Sequence, residues 1–146
     1  MNKLGIVLLL VLMLVFLACA QTSSIVNTSP VGNWYGDSVC QVANSPCKTE
    51  KVVYRIIQMD ENGKFMMQAD KIINEKPEYM GTIEFQFDEK TNTITAKTSS
   101  ANRGDAVWKF TINGNEMEGT LTLADGALYR KIKVTKVNCG GKSYDW

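Results

Sequence analysis

The side chains that could do chemistry in this chain are carboxylates and thiols, because its 146 residues include no histidine. Without imidazole there can be no Ser-His-Asp triad, no Cys-His pair and no histidine-ligated zinc or iron. The acidic pairs Asp60-Glu61 and Asp88-Glu89 lie in predicted turns. A glycosidase needs two carboxylates held across a cleft, one of them with a raised pKa, and solvated turn residues do not provide this. We therefore predict no enzyme activity, no catalytic residue and no cofactor.

The four cysteines are the second candidate set, and they fit a structural role better than a reactive one. Their spacing is not C-x-x-C, and thiols without histidine make a poor zinc site, so we predict no metal. Cys40 and Cys47 bracket a turn-rich segment, and linking them would stabilise the fold by about 2.5 kcal/mol on the chain-entropy model. We expect a Cys40–Cys47 disulfide, with Cys139 as a rival partner for either.

The first residues have the organisation of a secretory signal. A short basic start at residues 1–3 is followed by an unbroken apolar run over residues 4–17 and by the small residues Ala18 and Ala20. The run of about 14 residues is shorter than the ~20 that a helix needs to cross a membrane, which disfavours a retained anchor. The chain is therefore expected to be exported.

Two cleavage sites compete at the end of this signal. Ordinary signal peptidase would cut after Ala20, which makes residues 1–20 the signal peptide. The stretch FLAC, which ends at Cys19, instead resembles a bacterial lipobox, although Phe16 stands where leucine is usual. In that case residues 1–18 are removed and Cys19 receives lipid. We expect a lipid anchor in the bacterial cell envelope, with a soluble periplasmic or secreted protein as the alternative.

The rest of the chain divides into three parts. Residues 21–30 are rich in Ser and Thr without apolar periodicity, so they are expected to form a flexible tether. Residues 31–138 have the length of one domain, and residues 139–146 form a short tail. The net charge is only +1, with cations and anions interspersed, which argues against a nucleic-acid partner.

From residue 31 onward, apolar and polar residues alternate with period two, as Ile83, Phe85 and Phe87 show. Asn-Gly and Asp-Gly pairs supply the positive φ of tight hairpins. The pattern predicts eight strands, at residues 31–42, 51–59, 64–74, 79–88, 93–98, 106–113, 116–124 and 128–137. A meander of eight strands avoids exposed edges most easily by closing. We therefore predict an all-β fold, an eight-stranded antiparallel up-and-down barrel.

The inward side chains are bulky. An eight-stranded barrel is just wide enough either to be filled by side chains or to hold one small ligand. The candidate ligand-binding residues are those that alternation places inside: Met67, Phe85, Phe87, Trp108, Phe110 and Arg130.

Arg130 is the exception among these inward residues. A bare guanidinium inside a barrel costs several kcal/mol unless it is paired or reaches the mouth. Three interpretations are open: it stacks over an indole at the barrel end, it pairs with an inward acid, or it binds an anionic ligand.

The first strand opens with Gly32-Asn33-Trp34, and this motif resembles the lipocalin-like (calycin) barrels. In that family the tryptophan packs at the closed end beneath a basic residue from the last strand. The resemblance implies structural roles for Gly32 and Trp34 and places Arg130 over Trp34, with Lys136 as a weaker match. It also implies a small barrel of lipocalin or avidin type with a possible cavity, but no particular ligand. The stretch from Trp34 to Tyr54 also resembles that of small exported bacterial proteins.

Together these features predict a domain that binds one small apolar or amphipathic molecule. The alternatives are a protein-interaction module of the envelope, such as a hydrolase inhibitor that uses loop 99–105 or 48–50, and a purely structural domain with a filled core.

Overall fold

The structure, a computed structural model, describes residues 28–60 and 63–137. The expected signal segment, the lipidation site Cys19, most of the tether, and Cys139 with the rest of the tail lie outside these residues. Within them, no helix has the length and apolar character needed to cross a membrane.

Eight strands, each antiparallel to its neighbours in sequence, form the domain, and β8 pairs with β1 to close it. This confirms the predicted all-β, eight-stranded meander barrel. The strands are β1 Gly32–Cys40, β2 Glu50–Gln58, β3 Lys64–Ile73, β4 Lys76–Asp88, β5 Thr93–Ser100, β6 Gly104–Asn113, β7 Glu116–Leu123 and β8 Leu128–Val137.

Strand β4 is longer than predicted because the hairpin before it turns at different residues. Asn74 and Glu75 have φ values of 51° and 65°, so they form the tight turn, and Pro77 lies inside the strand. Such a pair of positive φ values is typical of two-residue hairpins. Strands β5 and β6 are also longer than expected, which shortens the predicted loop at 99–105 to residues 101–103.

The barrel has two ends, which we name by their interiors. The packed end is where β1 begins, together with the turns at 89–92 and 114–115. The open end carries the β1–β2 loop at 41–49 and the turns at 74–75, 101–103 and 124–127. The predicted Cys40–Cys47 disulfide is confirmed, and it closes the β1–β2 loop with a Cα–Cα distance of 5.9 Å.

Aromatic rings fill the packed end and the middle of the barrel. Phe65 stacks on Phe85 with ring centres 5.5 Å apart. Phe110, which is fully buried, stacks on Trp108 at 5.8 Å and meets Tyr54 edge-on at 6.0 Å. Buried aliphatic side chains from the other strands occupy the remaining space: Ile56, Met67, Ile94, Ile112, Met117 and Val134. This part of the interior is a packed core.

Trp34 seals the packed end, but its basic partner is Lys136 rather than Arg130. The Lys136 Nζ lies 5.1 Å from the centre of the Trp34 ring and donates to the Ser29 carbonyl at 2.9 Å. The register explains the correction, because Trp34 pairs with Lys136 while Arg130 pairs with Cys40, six residues along β1. At ~3.3 Å per residue that is about 20 Å away. Burial lowers the pKa of Lys136.

Gly32 makes room for this contact. Its φ is +135°, and a Cβ built there would lie 2.8 Å from the Lys136 Cε. A larger residue would therefore push the lysine away from the indole. The Trp34 Nε1 donates to the Pro30 carbonyl at 2.9 Å, which ties the incoming chain across the same end. These contacts give physical reasons for the predicted structural roles of Gly32 and Trp34.

Candidate functional site

A cavity of about 340 Å³ occupies the open end of the barrel. Its inner wall is apolar and its rim is polar. The lining residues are Ser38, Glu50, Tyr54, Ala69, Met80, Gly81, Thr82, Ile83, Thr98, Ser99, Arg103, Trp108, Leu121, Tyr129 and Arg130.

The cavity exists because several inward residues at the open end are small. Ser38, Ala69, Gly81 and Thr98 border it where the packed end has large side chains. Protein interiors are normally packed as densely as organic crystals. Here the small inward residues leave a space that no described side chain fills. At the inner wall of the cavity, Trp108 donates from its Nε1 to the Thr98 Oγ1 at 3.2 Å.

A β-bulge in β4 shapes one side of the cavity. Ala69 pairs with Gly81 and Asp70 pairs with Tyr79, so Met80 is the extra residue. Bulges bend the strand that carries them. Beyond the bulge, β4 stays paired with β3. With β5, however, β4 pairs only over Gln86–Asp88, which lie opposite Thr93–Thr95. Residues 81–83 and 98–99 border the cavity on the two sides of this incomplete seam, so the cavity extends to the side of the barrel.

A second bulge, in β8, turns a side chain toward the cavity. Leu121 pairs with Arg130 and Thr122 pairs with Leu128, which leaves Tyr129 as the extra residue. Simple alternation predicts Tyr129 on the outer face. The structure corrects this, since Tyr129 borders the cavity and is partly buried against the core.

Arg130 points inward as predicted, and its partners are at the open end. Its Nη2 lies 3.1 Å from the Glu50 Oε2, and its Nη1 donates to the carbonyl and the Oγ of Ser38 at 3.2 and 3.1 Å. The Arg130 side chain is 13% exposed and that of Glu50 is 26% exposed. Of the three interpretations of Arg130, the contacts match pairing with an inward acid. The ring beside its guanidinium is Tyr129, at 5.8 Å, rather than an indole.

Tyr54 lies beneath this ion pair and continues the polar network inward. Burial raises the pKa of the Tyr54 phenol well above its usual range, and the hydrogen bond with Ser38 and the charge of Arg130 offset this only in part. The phenol therefore stays neutral and can donate a hydrogen bond. Glu50, Arg130, Ser38 and Tyr54 form a polar group on β8, β1 and β2, opposite the incomplete β4–β5 seam.

The structure divides the predicted ligand-binding residues into two groups. Trp108 and Arg130 border the cavity. Met67, Phe85 and Phe110 are buried in the core, and Phe87 packs against it half-buried; none of these four lines the cavity.

Of the fifteen lining residues, only Trp108 and Arg130 were predicted as binding residues; Glu50, Arg103 and Tyr129 are among those that were not. The inward position of Glu50 could have been predicted, because it lies two residues before Val52 in the alternating inward series of Val52, Tyr54 and Ile56. That of Tyr129 could not, because a bulge is invisible to the alternating pattern. Arg103 was placed in a loop, which gives no direction for its side chain.

Two further observations limit the alternatives. Over residues 28–60 and 63–137, no three His, Cys, Asp or Glu side chains come together as a metal site would require. A more open depression lies on the outer face of β4, β5 and β6, where polar side chains such as Thr95, Lys97 and Lys109 border it. The cavity at the open end is therefore the better candidate for a small-molecule site.

No protein-family model matches the chain, and no curated protein is similar to it in sequence. Among solved structures, a crystal structure of a mutant of the fluorescent protein UnaG aligns with 74% of this chain and 96% of that chain, at a TM-score of 0.46 and 11% sequence identity. Similarity this low does not indicate a shared ligand or function. The closed eight-stranded meander is an up-and-down barrel, an architecture that lipocalins and streptavidin share.

Proposed function

We propose that this chain binds one small, mainly apolar molecule in the cavity at the open end. The observation that supports this most is a space of about 340 Å³ at one end of a barrel whose other end is filled. That volume is at the lower end of the range of about 300–1,000 Å³ for ligand pockets. Trp108, Ile83 and Leu121 would contact the apolar part of the molecule.

The rim favours a ligand with a polar group at one end. Hydroxyl groups of Ser38, Thr82, Thr98 and Ser99 border the cavity, while its inner wall is aromatic and aliphatic. A few polar groups around an apolar pocket fix the orientation of a ligand. An amphipathic molecule would therefore enter with its apolar part first.

Uptake of N-phenyl-1-naphthylamine, an uncharged dye that fluoresces in apolar surroundings, tests this proposal. We expect saturable binding of one dye per chain. Ala69→Leu adds bulk to the cavity wall, so it should weaken binding by about tenfold or more, equivalent to ~1.4 kcal/mol.

Thr95→Leu is the matched control, because it adds an apolar side chain beside the outer depression instead. It should leave the affinity for the dye unchanged. A wild-type chain that takes up no dye, or a dye site that responds to Thr95→Leu and not to Ala69→Leu, would contradict the proposal.

We also propose that the domain is exported and anchored to a membrane by lipid on Cys19. The basic start, the apolar run at residues 4–17 and a cysteine at the cleavage point support this. Cys19→Ala should move the protein from the membrane fraction to the soluble fraction, and Cys139→Ala should not. A protein that stays in the same fraction after Cys19→Ala would exclude the anchor.

Protein binding is a second candidate, and the β3–β4 hairpin favours it. Ile73 and Tyr79 are 44% and 63% exposed there, which places two large apolar side chains on one exposed hairpin. A photo-crosslinking residue at position 79 should then trap a discrete partner in cells, whereas one at exposed Lys109 should not. Equal trapping at both positions would count against this surface.

A further inference from the structure

The two arginines of the cavity differ in what neutralises them. Arg130 has a carboxylate partner, Glu50, and two acceptor oxygens on Ser38. Its charge and its donors are therefore largely satisfied by the protein, which gives it the contacts of a structural residue.

Arg103 has no such partners. It lies on the short β5–β6 turn, where its backbone N–H donates to the Ser100 carbonyl at 3.3 Å. Its guanidinium lies 5.7 Å from the centre of the Tyr129 ring. No carboxylate among the described residues forms an ion pair with it, and its Nε is buried without a hydrogen-bond partner. Buried polar donors are nearly always satisfied, so an orphan calls for an explanation.

Among the described residues, the charged side chains around the cavity leave one positive charge, that of Arg103, without a carboxylate partner. Two arginines and one glutamate border the space, and the glutamate is engaged by Arg130. The remaining cation faces a cavity whose deeper wall is formed by Trp108 and Leu121. An anionic oxygen at the rim would accept the orphan donor and neutralise the charge, and guanidinium groups are well suited to bind such oxygens.

We propose that Arg103 is the anion-binding residue of this cavity and that the ligand is an amphipathic anion. The apolar part of the ligand would lie against Trp108 and Leu121, and its carboxylate, sulfonate or phosphate group would accept from Arg103. This inference rests on the proposed function, because it assumes that the cavity is the ligand site.

A matched pair of dyes tests it in the full chain. 8-Anilinonaphthalene-1-sulfonate has the same ring system as N-phenyl-1-naphthylamine plus one sulfonate. Arg103→Gln should weaken binding of the sulfonate dye by about tenfold or more, the scale of one lost charge-assisted contact, and leave the uncharged dye within about twofold. Arg103→Lys keeps the charge and should retain more affinity for the sulfonate dye than Arg103→Gln. Lys97→Gln removes an exposed cation and should alter neither dye.

The outcomes separate the two proposals. If the wild-type chain binds neither dye, the proposed function fails and the inference fails with it. If it binds the uncharged dye but Arg103→Gln weakens both dyes equally or neither, the cavity stands as a ligand site and Arg103 is not its anion-binding residue. Thermal melts of both Arg103 variants verify that they remain folded.

Discussion

At the packed end, aromatic and branched aliphatic side chains occupy the interior, whereas at the open end Ser38, Ala69 and Gly81 leave a space of about 340 Å³. The same eight strands contribute to both ends. What changes along each strand is the size and polarity of the inward residue. An eight-stranded barrel can be filled by side chains or can enclose a cavity, and this barrel is filled at one end and encloses a cavity at the other.

The two ends also differ in how regular their strand pairing is. The register shifts at Met80 and Tyr129 both lie toward the open end, and β4 leaves β5 beyond Gln86–Asp88. Because bulges bend strands and re-aim side chains, irregular pairing forms the cavity wall while regular pairing encloses the core.

Removing a ring from the packed end should have the largest effect. Phe110 is fully buried between Tyr54 and Trp108, so Phe110→Ala should lower the free energy of unfolding by about 3–5 kcal/mol. Urea titration measures this. The control Tyr79→Ala removes a ring that is 63% exposed and should change stability by less than about 0.5 kcal/mol. Equal losses in both variants would mean that the packed end is not a core.

Substitutions that enlarge a side chain in the core and at the cavity should differ in their effect on stability, and the larger of these effects should be smaller than that of Phe110→Ala. A Cβ on Gly119 would overlap the Phe110 ring and lie 2.6 Å from the Lys109 carbonyl oxygen. Gly119→Ala should therefore destabilise the fold by about 1–3 kcal/mol. Ala69→Leu adds more atoms but directs them into the cavity, so stability should change by less than about 1 kcal/mol. If Ala69→Leu lowers the free energy of unfolding more than Gly119→Ala does, the open end does not contain the cavity described here.

The smallest effect concerns pH. Because burial raises the pKa of Tyr54 above that of an unfolded tyrosine, about 10, the unfolded state loses this proton first as pH rises. The free energy of unfolding should then fall above pH ~10, by up to ~1.4 kcal/mol per pH unit from this residue. Tyr54→Phe should fall less steeply than wild type between pH 9.5 and 11.5 (roughly the window around that pKa). Parallel curves for Tyr54→Phe and wild type would contradict the burial of this phenol.

Much of the fold could be predicted because burial on one face imposes alternation. Ile83, Phe85 and Phe87 follow it, as do Trp108 and Phe110, and each strand was found near its predicted place. The same alternation placed Arg130 inside. The error at Trp34 arose because the choice between Arg130 and Lys136 depends on the β1–β8 register, which pairs residues far apart in sequence.

The candidate site was less predictable because it depends on departures from alternation. One extra residue at Met80 and one at Tyr129 change which side chains face the interior. The position of Glu50 could have been deduced from Val52 and Tyr54, but its pairing with Arg130 needed β1 and β2 to be aligned. The sizes of the inward residues could have predicted where the cavity lies, because Ala69, Gly81 and Thr98 are small whereas the core positions carry large side chains.

A crystal structure of the chain with bound N-phenyl-1-naphthylamine would test the central claim most directly. The account predicts the dye at the open end, in contact with Trp108, Ile83 and Leu121, with Phe85 and Phe110 unmoved from their places in the core. A dye lodged among Phe85 and Phe110, or on the outer face beside Thr95, or an open end whose walls have closed together, would contradict the division of this barrel into a filled end and a binding end.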